Sequence, residues 1–318
     1  MLKKDLGLFL LILVVGCVVA IMNPRFLSPI NLGNTANLVG LFGLFSIGEA
    51  FVIITGGIDL SIGSMFALLG VIYIDLLVTY ELPWWIATAV TVLGGVVLGS
   101  IHGFLVTRLR LQPFIVTLCG LLIYRGVARY YTNDGTAGFE FGQRLPTLEW
   151  ITTGRTLGVP HSFVVFLLVA ILMGIVLHRS VFGRYLFAVG KNEEAARYSG
   201  IRTTRVIAAA YILCGGLAGL SSIYLAMYTR SISPASHGNF YELYGIAAAV
   251  LGGCSLRGGE GSILGIVLGA ILLQVLQNLV NLLGIPSSLN FAVMGTVILI
   301  GVLADQQLTR LRARRQAR

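Results

Sequence analysis

Charged side chains are scarce in this 318-residue sequence. Asp, Glu, Lys and Arg together make up 11% of it, whereas 56% is hydrophobic. Because an ordinary soluble domain has about 25% charged residues, this shortage excludes a typical water-soluble enzyme. A mean hydropathy of +0.89 indicates a chain whose solvent is a lipid bilayer. About 20 residues cross the hydrocarbon core, so this length accommodates about ten spans and no large soluble domain.

Cysteine and histidine are also scarce, with four of each. The cysteines stand singly in apolar stretches without CxxC spacing, and we expect them to be buried small hydrophobic residues. The histidines lie in separate segments without metal-ligand spacing. The residues concerned are Cys17, Cys119, Cys214, Cys254, His102, His161, His178 and His237. Their pattern predicts neither a metal site nor a cofactor in this chain.

The motifs of common enzymes are missing from the sequence. It contains no His-Glu-x-x-His and no Gly-x-Ser-x-Gly. Gly190-Lys191 looks like the end of a phosphate-binding loop, but Tyr185 stands where that loop requires glycine and Asn192 where it requires Ser or Thr. We therefore predict a non-enzymatic chain that does not bind ATP in this way.

Long apolar stretches are what the sequence does contain. They cover residues 6–22, 36–55, 62–79, 84–106, 114–131, 161–178, 206–228, 242–256, 262–283 and 289–304. The first resembles a secretory signal but lacks a small-x-small cleavage site, so we interpret it as an uncleaved span. The predicted fold is all-α: one polytopic transmembrane domain over residues 1–318, with about ten helices and pseudo-symmetric halves.

The distribution of Lys and Arg predicts the orientation of these spans. Placing the N-terminus in the cytoplasm assigns sixteen of the 22 basic residues to that side, including the basic tail 306–318, as the positive-inside rule requires. Both termini are then cytoplasmic. The net charge of +9 is explained without nucleic acid. The six remaining basic residues are Arg25, Arg125, Arg129, Arg144, Arg155 and Arg230.

The long cytoplasmic loop 179–205 contains a short segment typical of a helix. Asn192 would cap its start, and Glu193 and Glu194 occupy the first turn, where the helix dipole favours acids. Gly200 would end it. Such a helix on a cytoplasmic loop is either a docking element or a simple surface cap.

Glycines suggest internal repetition and close helix packing. Gly56-Gly57 after the second span resembles Gly252-Gly253 after the eighth, while two i, i+4, i+8 stripes lie on spans that run in opposite directions. The sequence leaves open whether the halves are parallel or inverted. We expect both stripes to pack helices together. They consist of Gly95, Gly99 and Gly103, and of Gly261, Gly265 and Gly269.

Polar residues at membrane depth are candidates for a substrate path. Glu49 lies inside the second span, where an acid is costly unless it faces a cavity or a partner. The segment from Thr55 to Ser64 interrupts the apolar pattern, and Asp59 could cap the next helix. A structural role and a place on the path both remain open. The path candidates are Glu49, Thr55, Gly56, Gly57, Asp59 and Ser61.

Residues 55–64, Thr-Gly-Gly-Ile-Asp-Leu-Ser-Ile-Gly-Ser, resemble the signature of the membrane permeases of ribose, xylose, arabinose and galactose-type ABC importers. The similarity continues through residues 113–118, 182–190 and 195–201. It covers roughly residues 30–305. Glu49-Ala50 departs from the family, which has uncharged residues at these two positions.

The resemblance also implies which residues couple the chain to an ATPase. In ABC importers an E-A-A-x-x-x-G loop forms the coupling helix that fits a groove on the ATPase. Glu194-Ala195-Ala196 with Gly200 matches this spacing, although the Ile and Leu-Pro that some importers carry further on are absent. The residues implied in coupling are Asn192, Glu193, Glu194, Ala195, Ala196, Arg197 and Gly200.

The expected function is the channel-forming subunit of an ATP-driven importer of a small carbohydrate in a bacterial cytoplasmic membrane. The resemblance implies a separate cytoplasmic ATPase, an extracytoplasmic solute-binding protein and a second permease copy, identical or related. Alternatives are the same architecture carrying a nucleoside, a branched-chain amino acid or a signalling furanose, and an ion-coupled carrier that uses Glu49.

Overall fold

The computed structural model describes residues 2–286 and, beyond them, only positions 289, 292, 293, 295, 296 and 299. Within these residues the chain is helical apart from short loops and two small strand pairs. Six of the described helices are long and apolar enough to cross a membrane. The chain is therefore a helical, polytopic membrane protein. The predicted span 289–304 and the basic tail 306–318 lie almost wholly outside the described residues.

Most helices follow the apolar stretches of the sequence. Those of the first half are α1 (Leu2–Met22), a 3-10 helix (Pro24–Leu27), α2 (Pro29–Ile54), α3 (Ile62–Val78), α4 (Trp84–Thr107) and α5 (Pro113–Tyr131). Those of the second half are α6 (Pro146–Thr153), α7 (His161–Arg179), α8 (Val181–Lys191), α9 (Glu193–Tyr198), α10 (Thr203–Thr229), α11 (Tyr241–Leu251) and α12 (Ile263–Leu282). Helices α6 and α8 lie in segments predicted as loops, and α9 is the capped helix predicted at Asn192.

The two ends of the bundle carry different loops. One end, called here the α6 end, carries loops 132–160 and 230–240, joined where β1 (Ala137–Gly138) pairs antiparallel with β4 (Ser231–Ile232). Strands β2 (Arg155–Thr156) and β3 (Val159–Pro160) form a hairpin there. The other end, the α9 end, carries loops 108–112, 179–205 and 252–262, together with the C-terminus of α2.

Helix α2 is the core of the bundle. Its residues are apolar on all sides, and it is buried without interruption from Val39 to Ile54, as expected for a helix that other helices surround. It packs against α7, α10, α11 and α12. Gly40 and Gly48 allow this, because a Cβ on either would overlap the backbone of α7 or α10.

Two antiparallel helices, α2 and α10, are each followed by an interruption of the helical chain. Helices α2 and α10 are antiparallel, since Leu41 lies beside Ser221 and Gly48 beside Cys214. Each ends in a non-helical segment, 55–61 after α2 and 230–240 after α10, and each segment leads into a short apolar helix, α3 or α11. The unit α2–α3 therefore runs antiparallel to the unit α10–α11, with one interruption near each end of the bundle.

Some details differ from the sequence-based expectation. Cys214 and Cys254 are buried, but Cys17 and Cys119 are exposed on the outer faces of helices, so burial of all four was wrong. Gly261 precedes the first residue of α12, and the ninth-span stripe therefore begins in the loop.

Candidate functional site

The segment between α2 and α3 folds back into the bundle. Thr55 ends α2, and Gly56 follows with φ +86°, the left-handed conformation that glycine adopts without steric cost. The Thr117 hydroxyl of α5, which donates to the Pro113 carbonyl of its own helix at 2.9 Å, also lies 3.3 Å from the Ile58 carbonyl. Asp59 and Ser61 are fully buried. The segment therefore ends below the surface of the bundle, and α3 begins inside it.

Asp59 organises this segment, but not as the cap of α3. Its Oδ1 accepts hydrogen bonds from the Ser61 amide at 2.9 Å and the Ser61 hydroxyl at 2.6 Å. Ser61 occupies the N-cap position and makes no side-chain cap bond. Asp59 thus closes a turn before the helix, which corrects the capping role suggested by the sequence.

A buried polar network extends from Asp59 to three neighbouring helices. The Asp59 amide donates to Glu49 Oε1 of α2 at 3.1 Å, and Asp59 Oδ2 lies 3.5 Å from His102 Nδ1 of α4. His102 Nε2 is 2.9 Å from the hydroxyl of Tyr124 on α5. The buried network is defined here as Glu49, Asp59, Ser61, His102 and Tyr124, each less than a tenth exposed.

His102 and Tyr124 were missed by sequence reasoning. His102 was set aside because it has no metal-ligand spacing, and Tyr124 has no distinguishing sequence context. One faint signal is Gly120, one turn from Tyr124, because a Cβ there would press on the His102 ring. Within the described residues no group of three or more His, Cys, Asp or Glu could hold a metal ion.

Glu49 is fully buried and borders neither of the two cavities described below. Its Oε2 has no hydrogen-bond partner among the described residues, and no basic side chain forms an ion pair with it there. An unpaired buried carboxylate is costly. The contacts therefore favour a structural role, in which Glu49 Oε1 accepts a hydrogen bond from the turn at Asp59.

This arrangement makes a testable prediction for Glu49. Glu49→Gln keeps the oxygen that accepts from the Asp59 amide, so we expect uptake to stay within about twofold of wild type. Glu49→Ala leaves that amide unpaired and should cost about 1–3 kcal/mol of stability. Initial uptake rates and thermal unfolding of both purified variants test this. A severe transport defect in a stable Glu49→Gln protein, or pH-dependent uptake that this change removes, would contradict it.

The second interrupted segment also enters the bundle. Arg125 of α5 donates hydrogen bonds to the carbonyls of Pro234 and His237 at 2.5 and 2.6 Å. Gly238, with φ +77°, lies against Gly63 so closely that a Cβ on either would overlap the other's carbonyl. The backbone at the start of α3 is therefore in direct contact with the backbone of the segment that leads into α11, inside the protein.

A cavity of about 360 Å³ opens beside the first interruption at the α9 end. It is lined by Gly56, Gly57, Ile58, Gln112, Pro113, Phe114 and Leu256. Of the predicted path residues, Gly56 and Gly57 line this cavity and Thr55 adjoins them. Glu49, Asp59 and Ser61 are brought together in the buried network instead.

Helix α9 projects from the same end. The Asn192 side chain accepts from the Ala195 amide at 2.9 Å, and Gly200 follows the helix with φ +83°. Ala196 alone is buried among residues 191–200. The Glu193 carboxylate accepts a 3.0 Å hydrogen bond from Thr203. Helix α9 is thus held at its N-terminus and through Ala196, and most of its surface is exposed.

Three chain segments cross just beneath α9, at a contact called here the glycine junction and defined as Ile54, Gly190, Gly258 and Gly259. The Gly259 amide donates to the Ile54 carbonyl at 2.8 Å. A Cβ on Gly190 would overlap both groups. Lys191 Nζ and Glu260 Oε1, 2.6 Å apart, close the junction on its exposed side. The end of α8, which leads directly into α9, is thereby packed against the last residue of α2.

The glycine stripes lie where helices approach most closely. Gly95, Gly99 and Gly103 face the backbone of α10, and a Cβ on any of them would overlap it. Gly265 and Gly269 lie in the same way against Gly252 and Ala248 at the end of α11. Gly261 contacts Ile54 and Cys254 from the loop.

An open basin of about 630 Å³ lies at the α6 end. Its lining is mostly polar and comes from the long loop, from α2 and from the end of α10: Asn37, Gly142, Gln143, Arg144, Glu149, Thr153, Arg155, Met227, Tyr228 and Arg230. None of these residues was singled out by its position in the sequence except the three arginines, which were assigned to the outer side.

Comparison with known proteins adds the family context. Residues 31–302 match the family described as branched-chain amino acid transport system / permease component. The chain is 38% identical over 296 residues to the ribose import permease protein RbsC of Escherichia coli K12, covering 93% of this chain and 92% of that one. No solved structure matches it significantly.

Two further relatives extend this likeness. RbsC of Bacillus subtilis 168 is 39% identical over 305 residues, which cover 95% of this chain and 91% of the relative. The fructose import permease protein FrcC of Rhizobium meliloti is 31% identical over 298 residues, covering 92% and 82%.

Proposed function

Because the chain belongs to the permease-component family of these transport systems, we propose that it is the transmembrane subunit of an ATP-driven importer for a pentose or hexose. The relatives named above import ribose and fructose, which favours a sugar over the amino acid in the family description. The sequence has no nucleotide-binding motif, so a separate ATPase subunit supplies the energy.

The exposed α9 and its connection to α2 are the observation that carries this proposal. A helix of six residues that is capped, anchored by one buried alanine and otherwise free is suited to fit a groove on a partner. The glycine junction links it to the interrupted segment 55–61. Closure of the ATPase would thus reach the interior of the bundle through a short, rigid connection.

The position of α9 also suggests how the protein is oriented in the membrane. The α9 end faces the cytoplasm, where the ATPase lies, and the α6 end faces outward, toward a solute-binding protein. Two permease copies, identical or related, enclose the path. Thr55, Gly56 and Gly57 border its cytoplasmic mouth, and the buried network holds the turn that shapes this mouth.

Co-purification from native membranes tests the proposal. After mild solubilisation of the tagged chain, we expect a stoichiometric ATPase and a solute-binding protein whose bound ligand identifies the sugar. Vesicles reconstituted with these components should take up that sugar only with ATP inside. Uptake by the permease alone, abolished by a protonophore and indifferent to ATP, would instead indicate the ion-coupled carrier.

The coupling role of α9 yields a prediction of its own. Glu194 is exposed, and its ion pair among the described residues is with Arg197, at 3.9 Å, so Glu194→Lys should not disturb the fold. At the ATPase contact, however, reversal of a charge should lower uptake about tenfold or more. Uptake and assembly with the ATPase measure this. Glu140→Lys, the same change at an exposed site of the α6 end, is the control, and equal uptake in the two variants would contradict the assignment.

A further inference from the structure

Four buried polar atoms near the turn at Asp59 lack a hydrogen-bond partner among the described residues. They are Glu49 Oε2, Asp59 Oδ2, His102 Nδ1 and the Tyr211 hydroxyl, and these four residues are called here the unpaired cluster. Each of the side chains is at most 1% exposed. Buried polar groups of folded proteins are nearly always paired, either within the protein or with bound water. Four unpaired atoms in one region therefore indicate a bound ligand.

The contacts of these residues bring the four side chains to one place. Glu49 Oε1 accepts from the Asp59 amide at 3.1 Å, and Asp59 Oδ2 lies 3.5 Å from His102 Nδ1. The rings of His102 and Tyr211 are perpendicular, with their centroids 6.3 Å apart. The Tyr211 hydroxyl lies beside Gly57, because a Cβ on that glycine would be 2.8 Å from it. Helices α2, α4 and α10 thus converge on the turn at Asp59.

The neighbours of His102 determine which of its ring nitrogens carries the hydrogen. Nδ1 faces a carboxylate oxygen of Asp59, and two acceptors placed together would repel each other, so Nδ1 is a donor. Nε2 then accepts from the Tyr124 hydroxyl at 2.9 Å, since a neutral imidazole has one donor and one acceptor. The 3.5 Å between Nδ1 and Asp59 Oδ2 is longer than a normal hydrogen bond. The Nδ1 hydrogen therefore remains available to another acceptor.

The unpaired cluster presents two donors and two acceptors. His102 Nδ1 and the Tyr211 hydroxyl donate, and the free oxygens of Glu49 and Asp59 accept. Water has the complementary set, two hydrogens and two lone pairs, and buried water typically makes about three hydrogen bonds to otherwise unpaired groups. A cation fits less well, because the Nδ1 hydrogen would repel it. The described residues also contain no group of three or more His, Cys, Asp or Glu that could hold a metal ion.

The unpaired cluster also lies next to a source of water. Gly57 lines the cavity of about 360 Å³ that opens at the α9 end. The same glycine adjoins the Tyr211 hydroxyl, and it has no side chain to separate the two. Water can therefore exchange between the cavity and the cluster past a single residue.

We propose that the unpaired cluster is an internal water-binding site, in which bound water joins the turn at Asp59 to α2, α4 and α10. A water-mediated hydrogen bond is nearly as favourable as a direct one, and exchange with the cavity allows it to be remade. The turn after α2 can then shift against these helices without leaving the oxygens of Glu49 and Asp59 unpaired, which would be costly. The inference concerns this chain alone and does not depend on the sugar or on the ATPase.

Radiolytic labelling of the full chain in nanodiscs tests the water site. A brief X-ray exposure converts water into hydroxyl radicals, which oxidise a buried side chain where bound water touches it. Tyr211 and Tyr73 are both fully buried, but the Tyr73 hydroxyl lies 3.4 Å from that of Thr88 and outside the cluster. We expect Tyr211 to be oxidised about tenfold faster than Tyr73, because it borders bound water. Mass spectrometry of the two peptides measures both rates.

Two substitutions of His102 distinguish water in the cluster from water in the neighbouring cavity. Asn can place an N–H group near the position of Nδ1, whereas Leu removes the donor. We expect His102→Asn to keep Tyr211 oxidation within about twofold of wild type and His102→Leu to lower it about fivefold, because the bound water loses one of its partners. Tyr130, which is 86% exposed, reports the radical dose in every sample. The comparison within wild type requires neither variant to fold.

Two results would overturn the water site. The first is equal oxidation of Tyr211 and Tyr73 in the wild-type chain. The second is fast oxidation of Tyr211 that a folded His102→Leu variant leaves unchanged, because the water would then belong to the cavity beside Gly57. Either result leaves the proposed function intact, since that function is tested by co-purification and uptake.

Discussion

Replacing Gly190 by alanine is expected to abolish sugar uptake, with a loss of at least about tenfold, while the complex still hydrolyses ATP. The added methyl group would overlap the Ile54 carbonyl and the Gly259 amide, which are hydrogen-bonded to each other at 2.8 Å. The end of α8 must then move away from α2, and the connection between α9 and the interrupted segment is lost.

Uptake into vesicles and ATP hydrolysis by the same preparation measure this uncoupling. Gly126→Ala in α5 is the control, because among the described residues no atom beyond its own stretch of helix lies within 4 Å of the added methyl group. Thermal unfolding shows whether Gly190→Ala remains folded. A folded Gly190→Ala complex with normal uptake would contradict the coupling of α9 to α2 through the glycine junction.

The second large effect is expected for Gly99 in α4. A methyl group there would overlap the Tyr211 carbonyl of α10, in an interface that extends along most of α4. Alanine favours a helix over glycine by about 1 kcal/mol, so propensity alone predicts stabilisation. Because the two backbones are already in contact, we expect the opposite sign, a loss of about 1–3 kcal/mol.

Thermal or denaturant unfolding in detergent measures the effect of Gly99→Ala. Gly174→Ala in α7 provides the comparison, since its nearest neighbours would lie 3.9 Å from the new methyl group, an ordinary van der Waals distance. We expect that variant to be unchanged or more stable. Equal stability of the two alanine variants would show that α4 and α10 can separate at little cost.

Several features were predictable because they depend on neighbours in the sequence. Long apolar runs specified α1 to α5, α7 and α10 to α12, since each run must find an apolar solvent or an apolar partner, whereas α6 and α8 lie in segments predicted as loops. The interruption after Ile54 followed from paired glycines and Asp59. The cap at Asn192 and the end at Gly200 followed from the preferences of single residues for helix termini.

The grouping of residues distant in sequence depended on the tertiary structure. Asp59 and His102 lie on either side of α3 in the sequence, and their approach depends on how α4 packs across α10. The three arginines of the basin come from a loop, a hairpin and the end of a helix. Local preferences carry no information on such distances, so neither cluster could be predicted.

The sequence by itself determined that this is a helical membrane protein, where most of its long helices lie and which loop carries a capped helix, because hydropathy and helix capping act over a few residues. Only the tertiary structure decided that the two interrupted units run antiparallel and that Glu49 is buried beside Asp59. These depend on how α2 and α10 pack, and that packing is determined by contacts between residues far apart in the chain, such as Gly48 with Cys214.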